Sequence, residues 1–237
     1  MNAVPVLFLG VFLSLALSFW GLILAPQLKI GRQTQVKVAS TGQWYPPPRG
    51  GAAEQGAEVY RSLGCVECHT QQVRARGADL ARGWGKRRTV AQDYLGDYPV
   101  FVGQQRIGPD LANIGFRRAS RRDLLLLLYN PRLITPGSMM PQYPFLFERR
   151  RITSTQPPSP KAIPLEGLPE DVQLVPRPEA EALVAYLLSL RVEVPLFEAP
   201  VPKTPETTNA APASASGGSP TNAPAPSTNA PAPAPKS

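Results

Sequence analysis

The sequence predicts a mainly α-helical protein with an N-terminal transmembrane helix, a small helical domain and a disordered Pro/Ala-rich tail. Three observations lead there: an uncharged apolar run at the N-terminus, three helix-like segments bounded by Gly and Pro, and 29 Pro among 237 residues. That Pro share is about 12 %, against roughly 5 % in ordinary usage. Much of it lies late in the chain, so the ordered core is smaller than the length suggests.

The anchor comes first. No charged side chain occurs from Met1 to Leu28, and residues 4–27 read as a transmembrane helix; about 20 helical residues cross a hydrocarbon core about 30 Å thick. Trp20 suits one interface, with Lys29, Arg32 and Lys37 beyond it. A cleaved signal peptide is the competing reading. No basic residue follows Met1, however, and Leu24-Ala25 runs straight into Pro26 with no small-x-small site, so the anchor is expected to stay.

Residues 28–51 read as a linker stiffened by Pro46-Pro47-Pro48. Residues 52–194 form the domain that carries the chemistry. Within it, Ala52–Ser62 reads as a helix ended by Gly64, and Arg121–Asn130 as a second, stopped by Pro131. The run Leu124–Leu128 is continuous rather than periodic, so it is either buried or turned to a partner. Pro178–Leu190 reads as a third helix, with Pro178 in its first turn and Glu179 and Glu181 near the positive end of its dipole. A Pro-rich insertion over 152–178 is expected on the surface. Residues 195–237 are low in complexity, with Thr221-Asn222-Ala223-Pro224-Ala225-Pro226 recurring as Thr228-Asn229-Ala230-Pro231-Ala232-Pro233. Such a tail buries too little apolar surface to offset ordering and is expected to be disordered.

The formal net charge is +8, and residues 61–151 hold 16 basic against 7 acidic side chains. That excess suits a solvated face, haem propionates, an acidic partner or lipid head groups. No helix-turn-helix, zinc-finger or RNA-binding motif accompanies it, so nucleic acid is not an expected partner.

The chain has two Cys and one His, all within Cys65-Val66-Glu67-Cys68-His69. Two thiols one helical turn apart suit thioether bonds to the two vinyl groups of a haem, and the following His is then directed at the iron. A thioredoxin-like pair needs a strand before it, whereas Cys65 follows a helix. Structural zinc usually takes four Cys or His ligands, and only three such residues exist. One covalently bound haem c, with His69 as an axial ligand, is therefore expected. With no second His, the sixth ligand must be Met139 or Met140, or the position stays open. Met140 is preferred because Pro141 follows it, as is usual for the ligand Met of small cytochromes; the alternative role for either Met is core filling. Between the ligands lies Arg106-Ile107-Gly108-Pro109-Asp110-Leu111. A Gly-Pro turn there can offer a carbonyl, assigned to Pro109, to the His69 ring N–H. Arg106 is expected to pair with a propionate or else to be a surface residue.

These segments together resemble a known family, the monohaem cytochrome c subunit (subunit II, the O subunit) of cbb-type, C-class haem–copper cytochrome c oxidases. The resemblance runs through Val59-Tyr60, Gly64-Cys65, Cys68-His69-Thr70-Gln71, Val73-Arg74, Asp97-Tyr98-Pro99, Gly103 and Arg106. It continues through Gly108-Pro109-Asp110-Leu111-Ala112, Gly115, Asn130-Pro131-Arg132, Pro136, Ser138, Met140-Pro141, Tyr143-Pro144 and Ala185-Tyr186-Leu187. Gln104-Gln105 stand where the family usually carries a Ser-Lys pair. The resemblance implies a class I cytochrome c domain in which the first and last helices cross, Gly56 and Tyr60 meeting Leu183 and Tyr186. It implies electron transfer from another c-type cytochrome to a catalytic haem–copper oxidase subunit, with no catalytic site in this chain. It also implies a single-pass protein of the bacterial inner membrane, its haem domain on the periplasmic or outer side where haem c is attached. The three basic residues after the helix point the other way, as a weaker bias. Two other functions remain open at this stage, the haem c subunit of a nitric oxide reductase and a stand-alone membrane-anchored electron carrier.

Overall fold

The computed structural model describes residues 3–31, 33–75 and 78–202. Most of the expected tail, residues 203–237, lies outside them.

Helix α1 spans Val4–Ile30, apolar all round, with side chains such as Leu7, Phe12 and Leu17 left uncovered by protein. This suits a helix whose surroundings are lipid. It widens to a π turn over Trp20–Leu24, where the Ala25 N–H reaches the Trp20 carbonyl. Pro26 follows; lacking an N–H, it cannot extend the ordinary i→i−4 ladder. The helix runs three residues past the expected boundary at 27 and takes in Lys29, whose long stem can carry its charge to the interface.

The linker expected over 28–51 is not a free spacer. Strands β1 (Val36–Lys37) and β2 (Trp44–Tyr45) pair antiparallel, Val36 opposite Tyr45. Tyr45 is buried and its hydroxyl donates to Asp93 Oδ1 at 2.8 Å. Asp93 forms an ion pair with Arg87 at 2.8 Å, both side chains being 0 % exposed. Arg87 Nε also donates to the Val194 carbonyl at 2.5 Å, and Arg88 Nη2 to that of Glu198 at 2.6 Å. Val38, Tyr45, Val90, Leu196 and Ala199 close over this network as a second small core. The folded unit therefore begins within the expected linker and ends after residue 194, at about Ala199. A guanidinium removed from water needs every acceptor it can reach, and it gathers them from both flanks of the domain.

The main core rests on α2 (Gly51–Ser62), α3 (Arg121–Tyr129) and α4 (Pro178–Ser189). Helices α2 and α4 cross in contact at Gly56, where an added Cβ would lie 1.9 Å from the Ala182 carbonyl oxygen and 2.7 Å from Tyr186 Cβ. Tyr60, Tyr186 and Phe101 stack beside the crossing, with ring centroids 5.3 Å (Tyr60–Tyr186) and 5.5 Å (Tyr60–Phe101) apart. Ser120 caps α3 by accepting the Asp123 N–H at 3.2 Å. Leu124, Leu125, Leu126 and Leu128 are buried in the chain's own core, which decides between the two readings of that run.

The Pro-rich insertion is only partly a surface loop. Strand β3 (Phe147–Arg151) pairs antiparallel with β4 (Val172–Pro176), and Leu174 on the return strand is fully buried with Ile163 bridged to it. The outer strand, Phe-Glu-Arg-Arg-Arg, has no apolar alternation to announce it.

Replacing Gly56 by Ala forces the two helices apart. We expect Gly56→Ala to destabilise the detergent-solubilised chain by about 1–3 kcal/mol, read as a lower thermal midpoint by circular dichroism. Gly51→Ala, whose Cβ would meet nothing within 4 Å, should leave the midpoint unchanged.

Candidate functional site

The site is built from the end of α2 and two loops. Gly64, at φ +66°, turns the chain through the left-handed region into a single 3-10 turn over Cys65–Glu67. The His69 N–H bonds to the Cys65 carbonyl at 3.0 Å, so the two thiols and the imidazole occupy about one turn of chain. Both Cys are half-buried free thiols. Burial pushes the Cys65 thiol up to about 11.

His69 Nδ1 lies 2.8 Å from the Pro109 carbonyl. A carbonyl only accepts, so Nδ1 carries the proton and Nε2 keeps its lone pair. Burial holds the imidazole below its usual value; Pro109 and Asp110 pull it up, and Arg117 pushes it down. The ring is neutral, as a metal ligand must be. Gly108 makes the contact possible: a Cβ there would lie 2.2 Å from His69 Cε1.

The loop carrying Pro109 is stapled in place. The Gly108 N–H donates to the Cys68 carbonyl at 2.9 Å and the Leu111 N–H to that of Thr70 at 2.7 Å. Fully buried Asp110 accepts from Thr70 Oγ1 at 2.6 Å and from the amides of Gln72 and Ala112 at 2.7 and 2.9 Å. Arg106 is turned inward to the same staple. Its Nε donates to Thr70 Oγ1 at 2.8 Å, Nη1 to Asp79 Oδ1 at 2.6 Å and Nη2 to the Gln72 carbonyl at 2.5 Å. Its guanidinium also stacks 5.2 Å from the centroid of the Trp84 ring. These bonds make Arg106 a clamp on the loop.

On the other side of the site, Met140 and Tyr143 are half-buried and pack, with Cys65 and Val66, against the main core. The Tyr143 N–H bonds to the Leu128 carbonyl at 2.9 Å, tying this loop to the end of α3. Met139 is 79 % exposed, so of the two Met only Met140 faces the interior. Burial raises the Tyr143 hydroxyl, and both Cys65 and Cys68 act on it electrostatically. Cys65, Cys68, His69 and Pro109 thus lie together, with Arg106 behind Pro109 in the loop, and Met140 packs against the same core as Cys65.

The donor set suits a haem c: paired free thiols, an imidazole whose second nitrogen is free of the Pro109 bond, and a half-buried thioether packed against the same core as Cys65. Among the described residues no cluster of His, Cys, Asp and Glu suits a bare metal ion. Sequence reasoning misses Asp110 and Arg117. Asp110 lies in a visible motif but its role depends on distant partners, and Arg117 has no local signal at all. Arg117 donates to the Asp110 carbonyl and stands close enough to act on His69.

Residues 4–169 match the family described as cytochrome C oxidase, mono-heme subunit/FixO. The matched range takes in α1 and every predicted site residue, and ends before β4 and α4. No curated protein matched the chain.

Gly108→Ala should displace the His69 ring and break its bond to Pro109. The expected readouts are a shifted imidazole ¹⁵N resonance for His69 and a loss of about 1–3 kcal/mol in stability.

Proposed function

The chain belongs to the family of mono-haem subunits of cytochrome c oxidase, and from that premise we propose that it is the membrane-anchored electron-transfer subunit of such an oxidase. In this reading it takes electrons from another c-type cytochrome and passes them to the catalytic haem–copper subunit. It stands in a bacterial inner membrane on α1, with the haem domain on the periplasmic or outer side, where haem c is attached.

One haem c, when bound, supplies reversible one-electron transfer, and the chain's residues hold and tune it. Cys65 and Cys68 bear the thioether bonds, so the group cannot dissociate between turnovers. His69 would hold the iron through Nε2. The bond from its Nδ1–H to the Pro109 carbonyl at 2.8 Å is the observation that carries the reading. It fixes the tautomer, orients the ring and increases the basicity of Nε2. Met140 would supply the second ligand, and a thioether there would favour the reduced state and so raise the potential. A haem held by His69 and Met140 would leave no ligand position for substrate, and in this reading reduction of oxygen belongs to the catalytic subunit. Pro109 and Arg106 act through the loop, Pro109 as acceptor and Arg106 as clamp.

Two measurements test this. Cys65→Ser together with Cys68→Ser should abolish haem staining of the denatured polypeptide. Met140→Leu should keep covalent haem, lose the sulfur-to-iron charge-transfer band of the oxidised protein and lower the reduction potential. Retention of that band would overturn the assignment of Met140. Purification of the complex without a copper-containing subunit would overturn the oxidase reading.

A further inference from the structure

Several arginines of this domain are matched by carboxylates, but Arg117, beside the His69 loop, is not. Arg49, Arg87, Arg106 and Arg121 each form an ion pair, with Asp97, Asp93, Asp79 and Glu181 respectively. Arg117 is half-buried and forms none among the described residues. Its Nη2 donates to the Asp110 carbonyl, and its Nε is buried with no hydrogen-bond partner. The nearest carboxylate, that of Asp110, is already committed to Thr70, Gln72 and Ala112, and lies 3.7 Å from Arg106. A half-buried cation without a counter-ion is costly, and a fold retains one only where the surroundings hold it there. Here the holder is the short helical turn Ile114–Arg117, pinned by the Arg117 N–H to the Asn113 carbonyl at 3.1 Å and the Arg118 N–H to that of Ile114 at 2.8 Å.

The charge lies beside the loop that holds His69. Arg117 bonds to the carbonyl of Asp110, and Asp110 follows Pro109, the acceptor of the His69 proton. We propose that Arg117 tunes electron transfer: its positive charge, held beside the His69 loop with no carboxylate in ion-pair contact among the described residues, raises the reduction potential of the haem. The physical reason is Coulombic. Oxidation adds one positive charge at the iron, and a fixed cation nearby in a partly dehydrated site disfavours that state. Burial lowers the guanidinium's own affinity for its proton and Asp110 partly restores it, which agrees with a charge that is held against its preference. Arg106 does not share the role, because Asp79 compensates it at 2.6 Å.

The proposal rests on His69 ligating a haem, and the test keeps the two apart. Equilibrium redox titration of the c-type absorption is carried out on the full-length chain purified in its complex. Arg117→Met should lower the midpoint, so that the reduced-to-oxidised ratio at a fixed ambient potential falls roughly three- to tenfold. Arg117→Lys, which keeps the charge, should hold the midpoint close to the unaltered value. Arg88→Met, which removes the same net charge from an exposed position, should leave it unchanged. A midpoint unaltered in Arg117→Met would overturn the proposal, as would an equal fall in Arg117→Met and Arg117→Lys, which would assign the effect to packing. If Arg117→Met fails to mature, Arg117→Gln is read by the same criteria. Absence of any c-type spectrum in the unaltered protein would instead overturn the haem reading itself.

Discussion

One hydrogen bond organises the site, the one from His69 Nδ1–H to the Pro109 carbonyl. For it to exist, a loop 40 residues further along the chain must come against an imidazole ring with no side chain between them. Gly108 removes the side chain. Asp110 and Arg106 then hold the loop from behind, each bonding to both Thr70 and Gln72 on the segment that follows His69. Every partner in this lattice is polar, most are buried, and a missing member leaves another unsatisfied. Such a network fixes geometry more than it adds stability. For an electron carrier this is the useful property, since a ring that does not move keeps the reorganisation accompanying each transfer small.

The same segment ties the site to the core. Gln71 lies two residues after His69, and its side-chain amide is 2.9 Å from the Tyr186 hydroxyl on α4. Tyr186 in turn stacks on Tyr60 of α2, the helix that ends at the two Cys. The crossing at Gly56 therefore sets the distance between α2 and α4, and through Tyr186 and Gln71 it also sets where His69 sits. Packing in the core and geometry at the site are one constraint, because a shift of α4 is passed along a chain of contacts with little slack.

The parts legible in the sequence are local. Cys65, Cys68 and His69 are adjacent, the Gly-Pro dipeptide announces its turn, and the scarcity of His and Met leaves only one pair of candidates for the sixth ligand. The three helices are readable from their Gly and Pro limits, to within a few residues. The illegible parts depend on partners far away in the chain. Arg106 looks like a surface charge until Asp79 and Thr70 are beside it. The linker looks like a spacer because it is short and stiffened by Pro46-Pro47-Pro48, yet Arg87 and Asp93, more than forty residues on, give Tyr45 a buried partner. Strand β3 carries no apolar alternation and is recruited by the buried Leu174 opposite.

The distribution of arginines explains how so Pro-rich a chain holds its shape. Two Cys and one His are consumed by the site, so no disulfide or metal staple remains for the loops. Guanidinium groups take that place. Their planar fork reaches several acceptors at once, which suits joining segments distant in sequence. Arg87 does so most completely, drawing in Asp93, the carbonyl of Val194 and, through Tyr45, the hairpin that follows the membrane helix. The two ends of the domain, one leading to the anchor and the other to the tail, are thus fastened to the same buried cation. Of the 16 basic residues of 61–151, whose excess composition alone leaves open to a solvated face, propionates, a partner or lipid, Arg87 and Arg106 are clamps that build the fold. Arg117 is half-buried with no ion pair among the described residues, and its place beside the His69 loop is what gives that charge a use.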